Sequence, residues 1–272
     1  MGKIFTWSEI EEKKIPLLSD FLLVEKKIRR DLEQAKGVLG GVVCGSFIWN
    51  KHNQRSDIDC VVVYDLNQRQ NVVEVLQEIN KFSLNLNVPI ELIPLDSQIV
   101  QSSLHHVGIS FFEHLRCAAE QGGIIKKNPL PLFCFKKANL ADEVYGYIRN
   151  KMRRIEKGIS RLYVMDEREL CQFLQKTLEL PVHLTRQILR LYGFSMTPDT
   201  KQAVIEKYTK YASPRMRDLF ERIISADDKY TKELSSQLIS PNKEGYLKVI
   251  TDLQEIACLT WDFTRANAKK FI

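Results

Sequence analysis

The sequence predicts an α/β domain, a mixed sheet flanked by helices, followed by an all-α helical-bundle domain. Three observations carry this expectation. Helical and β-branched segments alternate through the first half, as a sheet covered by helices requires. From Ala138 onward the apolar residues recur at helical period over long stretches. Between these regimes, Pro129, Pro131 and lysines 126, 127, 136 and 137 crowd into Asn128–Asn139 and its edge, where a domain boundary is expected. Residues 1–135 are therefore assigned to the α/β domain and residues 136–272 to the helical one.

In chain order, Ser8 and Glu11 have capping-box spacing, which predicts a short helix ending near Pro16. A second helix is expected from Asp20, with Phe21, Val24, Ile28 and Leu32 on one face. The run Leu39-Gly-Gly-Val-Val-Cys-Gly-Ser46 reads as a strand entering a tight turn. Asp57–Tyr64 reads as a second strand, Val72–Ile79 as a helix and Val88–Leu95 as a third strand. In the second half, Tyr145, Ile148, Met152, Ile155, Ile159 and Leu162 form an apolar stripe. Further helices are expected over 167–178, 181–193, 198–211, 215–225 and 243–269.

Composition narrows the function classes. The chain has 272 residues, 44% hydrophobic and 27% charged, as soluble globular proteins do. Its formal charge is +6, made of 17 basic and 16 acidic side chains up to residue 140 and 23 against 18 beyond it. The helical half thus holds most of the excess positive charge, which suits a polyanionic ligand such as a nucleoside triphosphate or RNA, or a plain solvated surface. Six cysteines lie scattered with no CxxC pair and no metal-ligand spacing to the five histidines. This argues against a zinc site or disulfide framework and for reduced thiols in a cytoplasmic protein. No apolar run is long enough to span a bilayer, and the first residues hold no signal core.

The chemistry lies in Gly45-Ser-Phe-Ile-Trp-Asn-Lys-His-Asn-Gln-Arg-Ser-Asp-Ile-Asp59. Asp57 and Asp59 are two apart on a strand, so their side chains share a face, while Ile58, Cys60 and Val62 face the other way. Two like charges on one strand face repel, and a structural sheet gains nothing from them. A divalent cation held between them turns that repulsion into attraction. At Gly45-Ser46, glycine lets the backbone approach a phosphate, and the amides and hydroxyl of Ser46 can donate to it. Lys51, Arg55 and Ser56, in the loop between the motifs, are further candidates for the nucleotide. A third acid is expected at Glu91, between Ile90 and Leu92 on a strand beside the aspartates. Were it more than about 8 Å from both, it would be too far to share closely spaced ions.

Gly-Ser, a nine-residue gap, then Ser-Asp-Ile-Asp and an apolar strand resembles the signature of the DNA polymerase beta-like nucleotidyltransferase superfamily. The gap and the helical second half are most similar to its small bacterial members, the aminoglycoside and minimal nucleotidyltransferases. The segments from Glu91 to Gln98 and from Phe111 to Ile125 are similar to kanamycin-type members. The resemblance implies that Gly45 and Ser46 bind a nucleoside triphosphate, ATP or another, with Ser56 and Arg55 beside them. It implies that Asp57 and Asp59 bind Mg²⁺, two ions in all, with Glu91 as the third acid. The implied reaction moves a nucleoside monophosphate onto a hydroxyl acceptor. That acceptor is a small molecule such as an aminoglycoside, which would make the protein an antibiotic-resistance enzyme, or else a protein or tRNA.

Other readings compete. A catalytically silent nucleotide-binding module would keep the fold without turnover. An RNA-binding helical protein with an α/β appendage would bind RNA in a salt-dependent way without the aspartates. In the helix from Glu143, Arg149, Arg153, Lys157 and Arg161 recur every four residues, either as a phosphate-facing wall or as a solvated face. By the same resemblance, Glu143 or Glu156 is a candidate general base. His105, His106, His114 and His183 have no partner spacing.

Overall fold

The computed structural model describes residues 2–101, 109–134, 140–194, 200–210 and 212–271. Its helices are α1 (Trp7–Glu11), α2 (Leu18–Gln34), α3 (Arg69–Asn85), α4 (Ser97–Gln101), α5 (Ile109–Ala118), α6 (Leu140–Ile159), α7 (Glu167–Leu191), α8 (Lys201–Thr209), α9 (Pro214–Ile239) and α10 (Lys243–Phe271). Its strands are β1 (Val38–Cys44), β2 (Ile58–Tyr64), β3 (Ile90–Asp96) and β4 (Ile124–Ile125). Contacts divide the chain into two compact units. One comprises 15–139 with 197–200, the other 1–14, 140–196 and 201–272.

The first unit is the mixed α/β sheet, in strand order β3-β2-β1-β4. β1 runs antiparallel to β2 and to β4, whereas β2 and β3 are parallel. Alternation sorts the strands' side chains between two cores. Ile58, Cys60 and Val62 join Val43 and the buried stripes of α2 (Phe21, Val24, Ile28, Leu32) and α3 (Val72, Leu76, Ile79). Val61 and Val63 face the opposite way with Val42 and Cys44, and meet Leu115 and Ala118 of α5 and Phe133. Both faces are thus closed by apolar side chains.

The second unit is helical and includes the start of the chain. Phe5 is fully buried there. Its N–H donates to the Tyr230 hydroxyl at 2.8 Å, and its carbonyl accepts from the Tyr246 hydroxyl at 2.8 Å. Trp7 adds an N–H bond to the Glu167 carboxylate at 2.6 Å and a ring contact with Tyr246 at 5.7 Å. Burial pushes the Cys171 thiol, which donates to the same Phe5 carbonyl, up to about 11. The backbone polar groups of Phe5 are thus satisfied by buried tyrosines, as buried N–H and C=O groups require.

Two local expectations are corrected. The first helix is capped by Thr6 and Glu9 in a full capping box, two residues ahead of the expected Ser8 and Glu11. Both pairs have the required spacing, and the anchoring of Phe5 fixes the chain entry that selects Thr6. The helices expected over 167–178 and 181–193 are one continuous helix, α7, with Pro181 inside it. Proline in a helix interior costs about 3 kcal/mol. Here Leu174, Leu178, Leu180 and Leu184 are all buried on both sides of it, and their packing outweighs that cost.

Candidate active site

The acids gather where the β2 and β3 strands begin. Asp57 is exposed, one residue ahead of β2, and Asp59 is half-buried inside it. The parallel register pairs Asp59 with Glu91, as it pairs Ile58 with Ile90 and Cys60 with Leu92. Adjacent strands lie about 4.8 Å apart and matched residues point to the same side, so these two acids are lateral neighbours. Asp59 is also the register partner of Cys44 at the end of β1. The Cys44 thiol is pushed well above its ordinary range by burial, then by the charges of Asp59, Cys60, Asp57 and Glu91. Cys44, Asp59 and Glu91 thus lie in one row across β1, β2 and β3.

Gly45 follows at once, with φ +81°. A Cβ built there would stand 2.7 Å from the Asp59 Oδ2. Glycine is needed twice over, for the left-handed turn and for the carboxylate lying against its Cα. The turn carries Ser46, whose hydroxyl donates to Ser56 Oγ at 3.1 Å across the loop. Ser56 Oγ also accepts from the Asn53 N–H at 2.9 Å, and its own N–H bonds the Asn53 carbonyl at 2.9 Å. Ser56 is thus buried as the inner brace of the loop, with Ser46 on the outer side. Arg55 is buried, only 2% exposed, and its backbone N–H donates to Asn53 Oδ1 at 2.9 Å, whereas Lys51 is exposed.

The loop seats itself on both cores, with Phe47 in one and Ile48 against the other. His52 lies 4.6 Å from the Phe47 ring and 5.7 Å from Phe21, and burial holds its pKa below the ordinary imidazole value. Trp49 Nε1 and His52 Nδ1 are buried without a hydrogen-bond partner in this conformation. Sequence reading passed over Cys44, Trp49 and His52, since nothing in their spacing marks them. Among the described residues, no three His, Cys, Asp or Glu side chains converge closely enough to enclose a metal ion by themselves.

Two glutamates of the helical domain were expected as candidate bases. Glu156 is exposed on α6, and the Glu143 side chain lies outside the described residues, as do His105 and His106. Arg149, Arg153, Lys157 and Arg161 are all exposed.

A small-residue turn against paired strand acids, on a mixed sheet covered by helices, defines a nucleotidyltransferase domain. Residues 25–127 match the family model described as a nucleotidyltransferase domain, and this segment belongs to the DNA polymerase beta-like nucleotidyltransferase superfamily. No curated protein matches the chain. The domain supports a transferase activity. Among the described residues, no helix is long and apolar enough to cross a membrane.

Proposed function

We propose that the α/β unit transfers a nucleoside monophosphate, AMP from ATP in the first instance, onto a hydroxyl acceptor with release of pyrophosphate. The observation that carries this reading is the contact of Asp59 with the Gly45 turn, with Glu91 in register beside it. The donor set is all carboxylate oxygen, the chemistry of Mg²⁺. Asp57 and Asp59 would hold the ion, and Glu91 would complete its ligand set or take the acceptor's proton. Mg²⁺ commonly uses one or two carboxylates and fills its shell with water and phosphate. When bound, Mg²⁺ neutralises phosphate charge and favours loss of the acceptor's proton.

The chain's own residues supply positioning. The Gly45 backbone lies open to the triphosphate because no side chain intervenes. Ser46 turns its hydroxyl from Ser56 to a phosphate oxygen, while Ser56 braces the loop from within and Arg55 stands beside it as a further candidate for the nucleotide. The acceptor oxygen bonds to the α-phosphorus, the bond to the β-phosphate oxygen breaks, and pyrophosphate leaves in line. The six cysteines are all free, which suits a reducing cytoplasm.

The test is pyrophosphate release with Mg²⁺ and each α-labelled nucleoside triphosphate, against small-molecule, tRNA and protein acceptors. Label transfer by the wild type and a loss of about hundredfold or more in Asp57→Asn and Asp59→Asn are expected. Tight triphosphate binding with no transfer by any of these proteins would replace the reading with a silent nucleotide-binding module.

A further inference from the structure

The exposed face of α6 carries a row of cations that the reaction described so far does not use. Arg149, Arg153 and Lys157 stand four residues apart, about 6 Å of helix rise per step, and Arg161 follows just past the helix end. All four are exposed, as is Arg154 beside them. The one acid between residues 149 and 161 is Glu156, three residues on from Arg153. The acids that come next are engaged locally. Asp166 caps α7, Glu167 accepts from the Trp7 N–H, and Glu169 faces Arg161 at 3.5 Å.

Two simpler causes do not produce this row. A helix macrodipole favours cations in the last turn, and there α6 holds Lys157 alone. A face made only for solvent gains from alternating signs, because like charges four apart destabilise a helix. Arg149–Arg153 and Arg153–Lys157 are two such like pairs in succession. The apolar side of α6 is committed to packing, with Met152, Ile155 and Ile159 joined to Leu180 and Leu184 of α7 in one core. The helix thus has no spare apolar face to lay into a membrane surface. At the end of the row, in the connection to α7, Tyr163 is 97% exposed, the most open large apolar side chain among the described residues. A row of cations ending on an open ring matches a single strand, which offers repeating phosphates and unpaired bases. A duplex keeps its bases stacked inside, and an acidic peptide has no base to lay on the ring.

We propose that the exposed face of α6, with Tyr163 at its end, binds a single-stranded nucleic acid. Arg149, Arg153 and Lys157 bond its phosphates, and a base stacks on the Tyr163 ring. The binding is independent of the nucleotidyl-transfer reading, and only use of the bound strand as the acceptor rests on it.

The experiment measures the anisotropy of fluorescein-labelled single-stranded RNA and single-stranded DNA with the full chain in EDTA, over a range of salt. Arg149→Gln/Arg153→Gln/Lys157→Gln should weaken binding about tenfold or more and lower the log–log salt slope by about 2, at about 0.7 per lost phosphate contact. Lys232→Gln/Lys243→Gln/Lys248→Gln, which removes equal charge from exposed positions of α9 and α10, should leave both nearly unchanged. Tyr163→Ala should weaken binding about fivefold or more with the slope kept, and Tyr163→Phe should bind as the wild type does. Unchanged melting temperatures separate loss of binding from loss of fold. Tighter binding of RNA or of DNA names the strand, and either supports the proposal. Equal losses in the two triple variants would reduce the face to diffuse charge and overturn it. So would full affinity in Tyr163→Ala, or duplex RNA bound as tightly as the single strand. Capture of phosphatidylserine vesicles or polyglutamate with neither strand bound would give the face to another partner and overturn it as well. No metal and no turnover is read, so failure here leaves the transfer reading standing, and an inert wild type in the transfer assay leaves this one.

Discussion

At Gly45, two requirements meet in one residue: a φ of +81° and room for the Asp59 carboxylate. Gly45→Ala should therefore be costly in two separable ways. A left-handed alanine loses about 1–2 kcal/mol of stability, seen as a lower melting temperature. Displacing Asp59 by even an ångström should cut pyrophosphate release by about hundredfold. Wild-type turnover in Gly45→Ala would show that the close approach has no catalytic purpose. The sequence made the glycine and both aspartates legible through type and spacing. It did not show that the glycine touches Asp59 rather than a phosphate alone, because that contact joins residues from two strands. Nor did it separate Ser46 from Ser56, one on the outside of the loop and one inside it.

At the scale of elements, periodicity identified β1, β2 and β3 and most of the helices but not the short β4, α4 or α5, and the corrections fall where tertiary packing overrode a local preference. Pro181 is the clearest, since a breaker residue sits inside a helix buried along its length. The α6–α7 pair gives a test of how tightly that packing is fitted. A Cβ added at Gly158 of α6 would lie 2.1 Å from the Phe173 ring of α7. Alanine in place of helical glycine ordinarily gains up to about 1 kcal/mol. Overpacking costs about 1–3 kcal/mol, so Gly158→Ala should lower the melting temperature. Adding Phe173→Leu should recover part of the loss, and a rise in melting temperature for Gly158→Ala alone would refute the close fit.

For the whole molecule, titration and chain path matter most. His52 and His183 both have pKa values below the ordinary 6.5, each with burial as the first cause. Unfolding raises each value, so below pH 6.5 the unfolded chain takes up protons first. Both histidines thus contribute stability that is full above pH 6.5 and is lost as pH falls through their lower folded values. Melting temperature measured from pH 8 to pH 5 should decline below about 6.5. His52→Gln and His183→Gln should each flatten that decline, and an unchanged slope in both would contradict the assignment. The residues before Lys14 show how chain path escapes sequence reading. Nothing in their composition announces that Phe5 is clasped by Tyr230 and Tyr246, more than two hundred residues later.

The sequence by itself determined the fold class, the nucleotidyltransferase motif and the three acids, because period and short spacing act within a few residues. Only the tertiary structure decided that Glu91 lies beside Asp59, that Gly45 receives its carboxylate, and that Gly158 of α6 meets the Phe173 ring of α7. Each of these joins residues remote in the chain through strand register or helix packing, which local propensity does not encode.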